Sequence, residues 1–266
     1  MDREDLKNLK KWFSDYVSGF YRRDADYNRP IRLKEEHTRR VCENIIALGK
    51  ALDLPGHDML LAETMALFHD VGRFKQYAEY GTFNDRISIN HARLGIRQLA
   101  TRRVLSVYTR DERRLITRAI AFHNALALPE TDAPRQLFFM RLLRDADKLD
   151  IWQVFIDYYQ ERRTKPSTVI EIGLPDGPGY SKQIVEALNA QRFARMQDLK
   201  TLNDFKLLQI SWVFDLNFTP SFRMVRHREY IERIAATLPD SEEITAAVDR
   251  ARDYVKCCLT PDVSPH

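Results

Sequence analysis

Apolar residues recur three and four positions apart through most of the chain, the spacing of helices that bury one face. This periodicity predicts helices over residues 4–21, 31–52, 57–69, 86–100, 110–124 and 135–161, then over 181–209, 222–237 and 241–258. Thr109 with Glu112, and Asp240 with Glu243, have capping-box spacing, in which two side chains satisfy orphan N–H groups at a helix start. They mark the beginnings of the fifth and the last predicted helix. Only TVIEIGL, residues 168–174, alternates enough to suggest a strand, and no internal repeat or low-complexity tract interrupts the pattern. The expected fold class is all-α.

Glycine is scarce, nine in 266 residues, and three of the nine fall between Gly173 and Gly179 beside Pro175 and Pro178. A helix cannot run through such a stretch. It is the expected break between an N-terminal region, 1–165, and a helical C-terminal extension, 166–266, packed as one domain with it or as a second.

Composition narrows the functional classes. At 44% hydrophobic and 30% charged residues, the chain can bury a sizeable core, which excludes a disordered or disulfide-held peptide. It has no long uncharged apolar run, so no membrane span is expected, and the opening MDREDLKNLKKWF is too charged for a secretory signal. Three cysteines, Cys42, Cys257 and Cys258, give no disulfide framework and suit a reducing cytoplasm. A net charge of +4 and a pI near 8.9 suit an anionic substrate but are too weak a signal for nucleic acid.

The chemistry is carried by an ordered set: His37, the adjacent pair His69 and Asp70, His91, His123 and Asp147. A surface histidine should fall among the charged residues of its helix, whereas a ligand must lie with the apolar row. His37 is followed at helical steps by Val41, Ile45 and Leu48. His69 is preceded by Met65 and Ala66, His123 by Ile116 and Ile120, and His91 leads into Leu94 and Gly95. Asp147 interrupts the row Leu143, Ile151 and Phe155, and an unpaired buried carboxylate costs several kcal/mol unless a cation, donors or a proton meets it. Asp145 instead shares a face with Arg141 and Lys148, where an ordinary ion pair accounts for it. His57, His227 and His266 lack such aspartate partners and are read as structural or solvent-exposed.

With this order in place, the stretch from His37 through ALFHDVGRF to RDADKLD resembles the HD-domain superfamily of metal-dependent phosphohydrolases. It covers residues 31–155. The resemblance implies an HD-type helical bundle in which His37, His69, Asp70 and Asp147 hold one metal, while His91 and His123 match the additional histidines of the dinuclear branch. The loop 81–85 lacks the GYP tripeptide of the cyclic-di-GMP phosphodiesterase branch, so that substrate is not implied.

Adjacent helical residues point about 100° apart, so His69 and Asp70 can share a centre only where a helix ends, and Val71–Gly72 offers an end. The expected site has Asp70 bridging two ions, with hydroxide as the nucleophile for in-line attack on phosphorus. Imidazole and carboxylate ligands without thiolate favour manganese, iron, cobalt or nickel, with zinc compatible, and disfavour calcium and magnesium. Arg73, Lys148 and Arg86 are candidates for gripping phosphate, Arg73 and Lys148 being nearest to ligands in sequence. Phe83 could stack on a base, and Asp150 could orient a ligand or a water.

The leading expectation is therefore a phosphohydrolase acting on a small phosphorylated substrate such as a nucleotide, with Asp70, Arg73 and Lys148 in catalysis. Two other classes stay open: a di-iron oxidoreductase of the same fold, and a signalling module without catalysis. The apolar face Ile244, Ala247, Val248, Ala251 and Val255 is expected to pack on the catalytic helices or to form a homodimer contact. The aromatic segment 211–222 is expected to serve as core.

Overall fold

The computed structural model describes residues 2–130, 133–162 and 171–260, and within them every regular element is a helix. Two compact units emerge, residues 1–150 and 151–266. The division falls inside a long helix, whereas the sequence pattern placed a break at Gly173–Gly179. Residues 163–170, which contain the expected boundary and the start of the 168–174 strand candidate, lie outside the described residues, as does His266. Residues 171–173 form a turn.

The first unit opens with α1 (Arg3–Ser18), started by a capping box between Asp2 and Asp5. Next come α2 (Ala25–Ala51), α3 (Gly56–Phe68), α4 (Val71–Tyr80), α5 (His91–Thr101) and α6 (Arg110–Phe122), and α7 (Pro134–Glu161) carries the chain past the division. Every residue of α3 from Leu61 to Phe68 is buried, which makes it the central helix of this unit. The Thr109–Glu112 capping box starts α6 as its spacing predicted.

Helix α4 is an element that the periodicity missed. Its ten residues bury only Val71, Gly72, Phe74 and Gln76, too short a stripe to register, and Gly81 ends it in the left-handed conformation (φ 65°). Two glycines decide where it lies. A Cβ on Gly72 would sit 2.1 Å from the carbonyl oxygen of His91 and 2.6 Å from the nitrogen of Gly95, so the α4 and α5 backbones meet at a distance that no larger residue permits.

The second unit holds α8 (Lys182–Asn189), α9 (Leu202–Ser211), α10 (Thr219–His227), α11 (Tyr230–Ala235) and α12 (Glu242–Cys258). The single helix expected over 181–209 is thus two. Asp204, fully buried, accepts the N–H groups of Ser181 (2.5 Å), Lys200 (2.8 Å) and Thr201 (3.0 Å), and its capping box with Thr201 starts α9. The helix expected over 222–237 also breaks, at Glu229 in the left-handed region (φ 53°). The last helix starts at Ser241 without a side-chain cap, so the Asp240–Glu243 box does not form. All ten α9 residues are buried. Trp152 stacks on Tyr230 at 5.5 Å and donates its indole N–H to the Gln209 carbonyl at 2.9 Å. The apolar face of α12 is covered by α8, α9, α10 and α11 of this same unit. Trp212, Val213, Leu216 and Phe222 are core, as expected for 211–222.

Candidate metal centre

Four of the six candidate ligands sit where helices begin or end. His69 follows the last residue of α3, Asp70 immediately precedes α4, His91 opens α5 and His123 follows α6. His37 and Asp147 project from the middles of α2 and α7. The break at Asp70 (φ −106°, ψ 12°) turns the carboxylate away from the direction it would take in a continuous helix. The Gly72–Gly95 crossing then brings the first turn of α5, with His91, against it.

All six side chains are buried and meet in one cluster. The Nε2 atoms of His37 and His69 lie 3.2 Å apart, and those of His91 and His123 lie 3.0 Å apart. Asp70 stands between the pairs. Its Oδ2 is 3.6 Å from both His37 and His69, and its Oδ1 is 3.2 Å from His91 and 3.8 Å from His123. Asp147 Oδ1 completes the first group at 3.1 Å from His37 and 3.6 Å from His69.

The opposite edge of each imidazole fixes its proton. His37 Nδ1 faces Asp150 Oδ2 at 2.6 Å and His91 Nδ1 faces Asp85 Oδ2 at 2.7 Å. His69 and His123 each turn Nδ1 to the carbonyl three residues earlier, of Ala66 and Ile120, both at 2.7 Å. A ring nitrogen facing only an acceptor must carry the hydrogen, so in neutral rings all four Nε2 atoms present lone pairs inward.

Two such pairs of lone pairs, with Asp70 Oδ1 and Asp147 Oδ1 buried and accepting no hydrogen bond, repel one another unless a cation joins them. Bonds of about 2.1 Å place neighbouring ligands about 3.0 Å apart at a right angle and about 3.4 Å apart at a tetrahedral angle. The observed separations fall in that interval or slightly beyond it. The residues therefore fit divalent ions, in two groups that share Asp70: His37, His69 and Asp70, and Asp70, His91 and His123.

Electrostatics agree with an anionic inner ring. Burial opposes ionisation of Asp70, yet Lys34, His69 and Arg73 outweigh it and hold the carboxyl well below the usual range. Asp147 is likewise depressed against the opposition of burial, by the neighbouring imidazoles of His37 and His69. Burial, then Arg73, pushes His91 below the ordinary imidazole value. For His37, burial and Lys34 oppose protonation, but the carboxylates of Asp147 and Asp150 prevail and raise it. Asp85 is pulled down to about 2, because His91, Arg73 and Gln76 together exceed the opposing effect of burial.

Among the candidate phosphate cations, Arg73 is tied into the protein. Its Nη1 donates to the Phe83 carbonyl (2.5 Å), Asp85 (3.0 Å) and Gln76 (3.0 Å), and its Nε lies 3.4 Å from Asp70. Lys148 is buried and Arg86 is exposed. Asp145 is fully buried and its neighbour Lys148 nearly so, while Arg141 is exposed.

Several residues at the site escaped sequence reasoning. Lys34 Nζ lies 2.6 Å from Asp70 Oδ2; its position three residues before His37, on the same helical face, was the signal. Arg40 grips Asp150 with Nε at 2.5 Å and Nη2 at 3.2 Å. Asp85 gathers His91, Arg73, Gln76 (2.8 Å) and Asn124 (3.1 Å). Arg144 donates to the Ala125 carbonyl at 2.5 Å, just after His123. No local pattern marks the last three.

Fold and site together define an all-helical protein whose clustered imidazoles and carboxylates suit divalent cations. A family model for the HD domain matches residues 35–152, and the His/Asp cluster there is compatible with an HD metal site. The match suggests the superfamily of metal-dependent hydrolases, whose HD domains bind divalent metal. No curated protein and no solved structure matches the chain. Among the described residues no helix is long and apolar enough to cross a membrane.

Proposed function

We propose that the protein is a phosphohydrolase with a dinuclear centre, in which His37, His69, Asp70 and Asp147 hold one transition ion and Asp70, His91 and His123 hold the other. The observation that carries this reading is the aim of Asp70, one carboxylate oxygen toward each histidine pair. Ions bound there would lower the pKa of a water toward 7 and offset negative charge on the phosphoryl oxygens.

The chain's own groups supply the rest. Asp150, Asp85 and two backbone carbonyls keep all four imidazoles in the tautomer that ligates, as outer-shell partners do in metal sites generally. The second group would offer three protein ligands against four from the first, and so would leave more room there for water and substrate oxygens. Arg73, pinned by Asp85 and the Phe83 carbonyl, contributes a fixed positive charge beside Asp70. The substrate is a small phosphorylated molecule, with nucleotides within the class, and the ions are manganese, iron, cobalt or nickel, with zinc compatible.

The test is metal content per chain after purification without chelators, together with phosphate release from a panel of esters. Two ions in the wild type, one each in His91→Ala and His123→Ala, and metal-dependent phosphate release are expected. Oxygen uptake with iron and no phosphate release would replace hydrolysis by di-iron redox chemistry. One ion in all three proteins would remove His91 and His123 from the ligand set.

A further inference from the structure

Three cations adjoin the inner carboxylates in space or sequence: Arg73, Lys148 and Lys34. Arg73 is held by acceptors of its own, and Lys148 is buried on α7. Lys34 differs from both. It reaches in from α2 with its side chain 17% exposed, and its one anionic partner among the described residues is Asp70, at 2.6 Å. It also lies 5.9 Å from the centre of the Phe83 ring, on the loop between α4 and α5.

The charges around the site separate into groups that cancel and groups that do not. Asp150 is matched by Arg40 and Asp85 by Arg73. Asp145 and Lys148, one turn apart on α7, are opposite in sign. Asp70 and Asp147 stay as the inner anions. Two divalent ions on them leave two positive charges in excess, and Lys34, whose partner is then shared with those ions, makes three. Unmatched charge of one sign in a buried site is expensive, so the site favours ligands that bring negative charge in that amount.

We propose that Lys34 binds a phosphoryl oxygen of the substrate, and that the site selects phosphate monoesters, dianionic near neutral pH, over monoanionic diesters. Counting the hydroxide nucleophile as one anion, a dianion neutralises the excess of three, whereas a diester leaves it short by one. The inference rests on the dinuclear reading above, since with a single ion the excess would be one charge, less than a dianion brings. The second ionisation of a phosphate monoester, near pH 6, sets the lower limit of the pH range in which the selection operates.

The experiment uses the metal-loaded full chain as wild type, Lys34→Met and Lys34→Arg. Metal content and melting temperature are measured first. Inorganic phosphate is then titrated calorimetrically, and kcat and KM are determined for p-nitrophenyl phosphate and bis(p-nitrophenyl) phosphate, which share a leaving group. A charge-assisted hydrogen bond lost from bound phosphate weakens its binding roughly 10- to 100-fold. Lys34→Met is therefore expected to keep its metal, to bind phosphate at least tenfold more weakly, and to narrow the wild type's preference for the monoester by a similar factor. Lys34→Arg, which keeps the charge, is expected to stay within a few fold of wild type for phosphate.

Unchanged phosphate affinity in Lys34→Met, a wild type that prefers the diester, or equal losses on both esters would overturn the proposal. Metal loss in Lys34→Met that Lys34→Arg does not restore would also overturn it, by making Lys34 a support for Asp70. Phosphate binding that depends on Lys34 without turnover of either ester would sink the hydrolase reading while leaving the role of Lys34 intact.

Discussion

Asp85 offers the sharpest test of how the second group of ligands is held. Its carboxylate accepts from His91 Nδ1 at 2.7 Å, Gln76 Nε2 at 2.8 Å, Arg73 Nη1 at 3.0 Å and Asn124 Nδ2 at 3.1 Å. Asparagine fills the same space but removes the charge and turns an NH₂ group toward these donors. The folded carboxyl sits at about 2 against an ordinary 3.8, and each pK unit is about 1.4 kcal/mol, so the charged form gains roughly 2 kcal/mol from these partners. Because the folded value is depressed, this stabilisation is complete above the unfolded value of 3.8 and is lost as pH falls toward 2. Asp85→Asn should therefore lower the melting temperature of the metal-free protein at pH 7 by roughly 5 °C, and the gap between wild type and variant should close on acidification toward pH 2. Loss of the partner that orients His91 should also weaken the second ion 10- to 100-fold while the first remains, seen as one tight and one weak site by calorimetry. A variant with two tight sites and an unchanged melting temperature would refute the reasoning, as would one that lost both sites equally.

Other substitutions probe the scaffold. Gly72→Ala pushes a methyl group into the His91 carbonyl and the Gly95 nitrogen, backbone atoms that cannot step aside, and should cost more than about 3 kcal/mol, a fall of roughly 10 °C by calorimetry. Gly56→Ala, with nothing within 4 Å of the added carbon, is the matched control and should be neutral or better. In the second unit, Trp152→Ala opens a cavity beside Tyr230 and strips the Gln209 carbonyl of its donor, so urea unfolding should show a loss of about 3–5 kcal/mol. A loss under 1 kcal/mol would mean that the second unit does not depend on this stack.

Much of the protein was legible because helical periodicity is local. The apolar rows around His37, His69, His91 and His123 predicted buried imidazoles, and all four are buried. Periodicity failed at α4, whose buried stripe is short, and over 181–209, where the first helix ends at Asn189, Gln191 takes a left-handed φ of 52°, and a capping box of Thr201 with the buried Asp204 starts the next.

What the sequence by itself determined, then, was the all-helical class, the placement of six imidazole and carboxylate residues on inward faces, and the residue types that suit divalent cations. Each depends on neighbours within about one turn. Only the tertiary structure decided which groups meet: Asp70 between two histidine pairs, Asp150 on His37 across 113 positions, Asp85 on His91, and Lys34 on Asp70. These pairings depend on how helices cross, and at α4 and α5 the crossing depends on a contact between Gly72 and Gly95 that no local pattern encodes.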